Sequence, residues 1–147
     1  MNNNMEKVII HTDGGSRGNP GPSAIGVVVE GLGEKKEYAE FLGHKTNNDA
    51  EYEAVIFALK KVKGLVGSDK CKMLEVKFYL DSELVVKQLN GEYKVKELNI
   101  QDYFIQIWNL RMDFGKTTFN HIPREKNAEA DRLVNIKLDE DGSRLQI

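Results

Sequence analysis

The sequence predicts an α/β domain built on a mixed β-sheet. Three observations carry the prediction. Between Glu6 and Gly43, three β-branched apolar runs follow one another across short turns rich in Gly and Pro, the pattern of an antiparallel meander. From Glu51 the apolar period becomes helical, with Val55, Ala58, Leu59 and Val62 on one stripe. A strand, LEVKFYLD, follows that helix, so it lies parallel to the first strand through a crossover.

Taken in order, residues 6–13 form the first strand, with Ile9, His11 and Asp13 alternating against Val8, Ile10 and Thr12. His11 is expected to be a strand residue with a local hydrogen bond. The loop after Asp13 is dense in Gly (14, 15, 18 and 21) and Pro (20 and 22). It leads into a second strand, Ser23–Glu30, where Gly26 signals close backbone approach or a bulge. A turn at Gly31–Gly33 precedes a third strand near Lys36–Gly43. The polar TNND at Thr46–Asp49 supplies capping residues for the helix that follows. Gly64–Lys72 reads as a polar loop, with Cys71 an inert thiol within it.

The fourth strand ends on Asp81, as the first ends on Asp13. Ser82 then caps a short helix that stops near Gly91. A longer helix over 97–114 places Ile100, Phe104, Ile107 and Trp108 on one side, with Trp108 expected in the core. Lys116–Ile122 is the fifth strand, ended by Pro123. The last helix begins near Asn127, with Ala130, Leu133, Val134 and Leu138 apolar and Asp131 on the same stripe. Residues 1–5 and 139–147 are expected to be tails around one domain spanning 6–138.

The 147 residues suit one domain with a sizeable core, and 40% hydrophobic with 30% charged content is ordinary for a globular protein. The apolar runs are far short of the ~20 residues that span a bilayer. Residues 1–7 lack the apolar stretch of a secretory signal. A single cysteine excludes a disulfide framework and a Cys-based zinc site. The expectation is a cytoplasmic monomer with no membrane association. Net charge is −2, from 21 basic and 23 acidic residues; setting four acids aside as metal ligands leaves 19 against 21, or +2. The overall charge therefore does not argue against nucleic acid.

Four acids share one placement. Asp13 and Asp81 end neighbouring parallel strands, and Glu51 and Asp131 open helices on their sheet-facing sides. Sites in open α/β sheets form at the carboxyl ends of strands, where helix N-termini gather. Four converging carboxylates repel and raise one another's pKa, and divalent cations remove that penalty. Oxygen-only ligands favour Mg²⁺ or Mn²⁺ over zinc. Two such ions about 3.5–4 Å apart hold the attacking water and the leaving oxygen of a phosphodiester in line. The loop GGSRGNPG is not a nucleotide-triphosphate loop, because it lacks Gly-Lys-Ser/Thr and leads into a strand.

Four stretches then carry a resemblance: TDGGSRGNPGPSAIG from Thr12, TNNDAEYEA from Thr46, LDS from Leu80, and HIPREKNAEAD from His121. Together, and in this order, they resemble type I ribonuclease H, in its short bacterial and archaeal, reverse-transcriptase-like branch. The resemblance covers about residues 7–136. It implies a ribonuclease H-like fold: a five-stranded mixed sheet, order 3-2-1-4-5, with helices on both faces. It implies hydrolysis of the RNA strand of an RNA/DNA hybrid by two-metal-ion catalysis with Mg²⁺, Mn²⁺ being able to substitute. The products would carry 5′-phosphate and 3′-hydroxyl ends.

By the same resemblance, Asp13 bridges both ions, Glu51 and Asp81 join it on one, and Asp131 joins it on the other. Glu51 would also touch the ribose 2′-hydroxyl, the group that separates RNA from DNA. Gly14 and Gly15 would let backbone amides approach the RNA without a Cβ between them. Asn19, Asn47 and Asn48 would contact base edges in the minor groove, and Thr46 and Ser82 the phosphates of the DNA strand. Each also has a local role open to it, as a turn or cap residue. His121 has the family's spacing to the last Asp, and Arg124 is the better-placed cation for the leaving phosphate. The basic protrusion of larger members is reduced here to GEYKVKEL, with Lys94 and Lys96, and Glu83 stands where a neutral amide suits nucleic acid better. Two rivals stay open: a non-catalytic nucleic-acid-binding module, and another nuclease on the same fold.

Overall fold

A computed structural model of the chain describes residues 5–145, so residues 1–4 of the expected N-terminal tail lie outside the described residues. The strands are β1 (Glu6–Ser16), β2 (Gly21–Glu30), β3 (Lys36–Lys45), β4 (Leu74–Leu80) and β5 (Lys116–His121). They form one sheet in the order β3-β2-β1-β4-β5. β1 pairs antiparallel with β2 and parallel with β4, and β4 pairs parallel with β5. This is the mixed sheet expected from the sequence. The helices are α1 (Asn47–Val66), α2 (Ser68–Cys71), α3 (Glu83–Leu89), α4 (Leu98–Arg111) and α5 (Ala128–Leu145), with a 3-10 turn at Arg124–Lys126 before α5.

Strand alternation divides the core into two layers. Val8, Ile10, Ile25, Val27 and Val29 pack with Val55, Leu59 and Val62 of α1. Ala24 and Val28, one residue out of phase on β2, pack instead against α5 through Val134, Leu138, Ala130 and Leu133. Helices therefore cover both faces. Gly26 fits the second layer because a Cβ there would stand 2.3 Å from the Ala130 carbonyl oxygen. α5 lies directly on the strand at that point, the close approach that a glycine in a strand predicts.

Three expectations are corrected. The stretch 64–72 is not a loop: α1 runs to Val66 and α2 follows, burying Cys71. Trp108 is not core. It is 50% exposed, with the Arg111 guanidinium 5.5 Å from its ring centre. Ile100 and Ile107, seven residues apart, supply the buried line of α4, and Trp108 is rotated about 100° away from it. Beyond Leu138, the expected tail is helical to Leu145. Arg17 pairs with Asp139 at 2.7 Å and Asp141 is buried, so this part of α5 has contacts of its own on the domain. Among the described residues, no helix is long and apolar enough to cross a membrane.

Candidate active site

Parallel pairing of β1 with β4 sets the first two acids side by side. His11 is opposite Tyr79 in that ladder, and their rings stack at 5.3 Å in place of the expected local hydrogen bond. Two residues further along each strand are Asp13 and Asp81, where the parallel ladder has run out.

Glu51 arrives from α1, and Gly14 makes its approach possible. A Cβ on Gly14 would lie 2.3–2.5 Å from the Ala50 carbonyl and the Glu51 amide nitrogen, so only glycine lets the first turn of α1 rest on β1. The Gly14 amide then donates to Glu51 Oε1 and, at 3.0 Å, to Asp13 Oδ1. Oxygens of Asp13, Glu51 and Asp81 all lie within 4.8 Å of one another.

The electrostatics follow from this crowding. Asp13 and Glu51 are only 8% and 7% exposed. Burial first, and then the neighbouring Asp81, push the Asp13 carboxyl up from 3.8 to about 7. Burial, Asp13 and Asp81, in that order, hold Glu51 well above the usual carboxylate range. Such a group of desolvated oxygens is costly when all three are ionised, and a divalent cation reverses the sign of that interaction. The donor set is oxygen-only, so it fits Mg²⁺ or Mn²⁺.

Asp131 stands in the first turn of α5, half-buried, its amide bonded to the Asn127 carbonyl at 3.1 Å. It lines a cleft of about 170 Å³ together with Asp13, Gly14, Gly15, Asn47 and Arg124. Arg124 is exposed in the 3-10 turn. His121 ends β5, exposed, and is not among the residues lining this cleft.

The remaining residues singled out in the sequence have local partners. Thr46 caps α1: its Oγ1 accepts from the Asp49 amide at 3.1 Å, and Asp49 Oδ2 accepts from the Thr46 amide at 3.2 Å. Ser82 caps α3 by accepting from the Val85 amide at 3.3 Å. Asn19 Oδ1 accepts from the Asn47 amide, and Asn47 Oδ1 accepts from the Ser16 amide, both at 2.9 Å. The Gly-rich loop is thereby tied to the start of α1. Asn48 lies half-buried in the first turn of that helix. Gly15 faces α5, where a Cβ would meet Val134 Cγ1 at 3.3 Å. Glu83 pairs with Lys87 at 3.1 Å.

One residue escaped the sequence reading. Asn127 is 1% exposed, and its Nδ2 donates to the Thr12 carbonyl at 2.8 Å and to Asp81 Oδ2 at 3.1 Å. In sequence, an Asn at a helix start reads only as a cap.

Comparison with known proteins agrees with this fold. A family profile described as reverse transcriptase-like matches residues 11–136. A ribonuclease H of Thermoanaerobacter is 42% identical over 151 residues, covering 91% of both chains. A bifunctional protein of Mycobacterium tuberculosis is 38% identical over 136 residues, covering 90% of this chain but 36% of its own, so the chain spans about a third of that relative's length. The crystal structure of LC11-RNase H1 in complex with RNA/DNA hybrid superposes with a TM-score of 0.84 at 46% identity, covering 91% of this chain and 98% of that one.

Proposed function

Because the chain belongs to the type I ribonuclease H family, we propose that it is a metal-dependent endoribonuclease that hydrolyses the RNA strand of RNA/DNA hybrids. The observation that carries the reading is the trio of carboxylates within 4.8 Å, Asp13 and Glu51 buried and Asp81 half-buried. The raised pKa values of Asp13 and Glu51 mark a site built to be completed by positive charge. Binding of nucleic acid alone needs no such cluster, since phosphates are met by cations.

In this reading Asp13, Glu51, Asp81 and Asp131 hold two Mg²⁺ ions, or Mn²⁺ in their place. Divalent cations at such a site supply a more acidic water and offset the charge that develops on phosphate oxygens. Water attacks the scissile phosphorus and the bond to the 3′-oxygen breaks, leaving 5′-phosphate and 3′-hydroxyl ends. Glu51 accepts from the ribose 2′-hydroxyl, which directs cleavage to RNA. Arg124, in the cleft with Asp13 and Asp131, pairs with the phosphate, and His121 assists product departure. The amide of Gly15 approaches the RNA backbone, while that of Gly14 is spent on Glu51 and Asp13. Asn47 and Asn48 read the minor groove. Asn19, Thr46 and Ser82 act mainly by shaping the loop and helix ends that carry those contacts, in line with their bonds.

The test is a hybrid with each strand labelled separately, incubated with Mg²⁺ beside Asp13→Asn. Cleavage of the RNA strand alone, lost with EDTA and lost in the variant, is the expected result. Hybrid binding without cleavage in Mg²⁺ or Mn²⁺ would establish the non-catalytic alternative instead.

A further inference from the structure

Asn127 opens α5 yet does not use its side chain as helix-opening residues do. An Asn at that position ordinarily turns Oδ1 onto a free amide of the first turn. Here Oδ1 is buried and finds no hydrogen-bond partner among the described residues. The amide nitrogen points the other way, to the Thr12 carbonyl and Asp81 Oδ2. Both partners are acceptors, so chemistry alone requires the NH₂ end to face them. An unpaired buried oxygen carries the full cost of its lost hydration, a poor choice for a residue serving stability alone.

We infer that Asn127 is the positioning residue for Asp81, a neutral clamp that fixes the rotation of its carboxylate relative to Asp13. The inference rests on the proposed metal-dependent function. One end of the clamp is the backbone of Thr12, the residue before Asp13, and the other is the Asp81 carboxylate. The main chain of the same residue accepts from the Asp131 amide. Three of the four acids are thus referenced to one side chain and its own carbonyl. An amide suits the task because it donates without adding charge. A lysine there would neutralise Asp81 and compete with a cation, and an acid would repel it. Partners of this kind orient metal-binding carboxylates and set their affinity.

The experiment compares Mn²⁺ binding by calorimetry in metal-free wild type, Asn127→Ser and Asn127→Ala, with thermal melts as the folding control. Serine still caps a helix but cannot reach both acceptors. Both variants should melt cooperatively and bind Mn²⁺ about tenfold or more weakly. With hybrid, kcat should fall while KM stays near wild type. In an Asp81→Asn background, the serine substitution should change Mn²⁺ affinity less than about twofold, because the clamped carboxylate is gone. Unchanged Mn²⁺ affinity in folded variants, or an equal loss in the Asp81→Asn background, would overturn the inference while leaving the proposed function intact. A wild type that binds no Mn²⁺ would overturn both.

Discussion

The start of α1 is capped and packed against β1, whereas the approach to α5 is open, although each helix delivers one acid to the same site. On the α1 side, Thr46 and Asp49 form a capping box, and Asn99 holds Asp49 Oδ1 at 2.7 Å. Glu51 is buried against the Gly14 amide. On the α5 side, Pro123 and the 3-10 turn are exposed, Asp131 is half-buried, and Asn127 is the buried anchor. Catalytic sites need both properties: fixed charge where developing charge must be met, and an open wall where substrate and ions exchange. The contrast teaches that the same element, a helix N-terminus with an acid in it, serves either need according to what packs against it.

The largest effect should come from breaking the closed side. Gly14→Ala puts a methyl group against the Ala50 carbonyl, backbone that cannot yield. We expect a loss of about 3 kcal/mol in chemical denaturation, together with loss of cleavage. Gly15→Ala on the same strand meets only a side-chain carbon of Val134, and should cost under about 1 kcal/mol. Similar losses for the two would show that the closed side is not set by this contact.

The open side should respond in rate rather than stability. Arg124→Ala should lower kcat about tenfold or more and leave the melting temperature unchanged, because an exposed cation carries little folding energy. His121→Ala should matter less, since His121 does not line the cleft. Single-turnover cleavage by both variants decides the order, and a larger effect of His121→Ala would reverse it. Thr46→Ala, which removes half of the capping box, should cost about 1 kcal/mol of stability with cleavage retained.

Much of this was legible in the sequence, for physical reasons that can be named. Strand alternation and the helical stripe of α1 are local properties, so the sheet and its order followed from them and from the family resemblance. The acids stood out because Asp13 and Asp81 interrupt apolar strands at their ends. Gly14 was legible as a glycine but not in its reason: it was read as room for RNA, and its Cβ space is filled by α1 of the same chain. That fact depends on tertiary packing between residues 14 and 50. Trp108 misled because an aromatic next to a buried stripe reads as part of it, and one helical step separates core from surface. Asn127 was hidden because capping and clamping use the same residue type, and only its partners, 115 and 46 residues away in sequence, tell them apart.

Acids crowded in readiness for divalent cations should leave their mark on how stability depends on pH. Asp13 has an ordinary value of 3.8 and stands at about 7 when folded. Between those values the folded chain holds a proton that the unfolded chain has released, so this group lowers stability as pH rises through that window, and the loss is complete above it. At pH 8 in EDTA, Asp13→Asn should therefore be more stable than wild type, on the order of 2 kcal/mol by denaturant unfolding. The gain should vanish near pH 4, and Mg²⁺ should stabilise the wild type at pH 8 but not the variant. An Asp13→Asn protein that is less stable than wild type at pH 8 in EDTA, with Mg²⁺ without effect on either, would contradict the account.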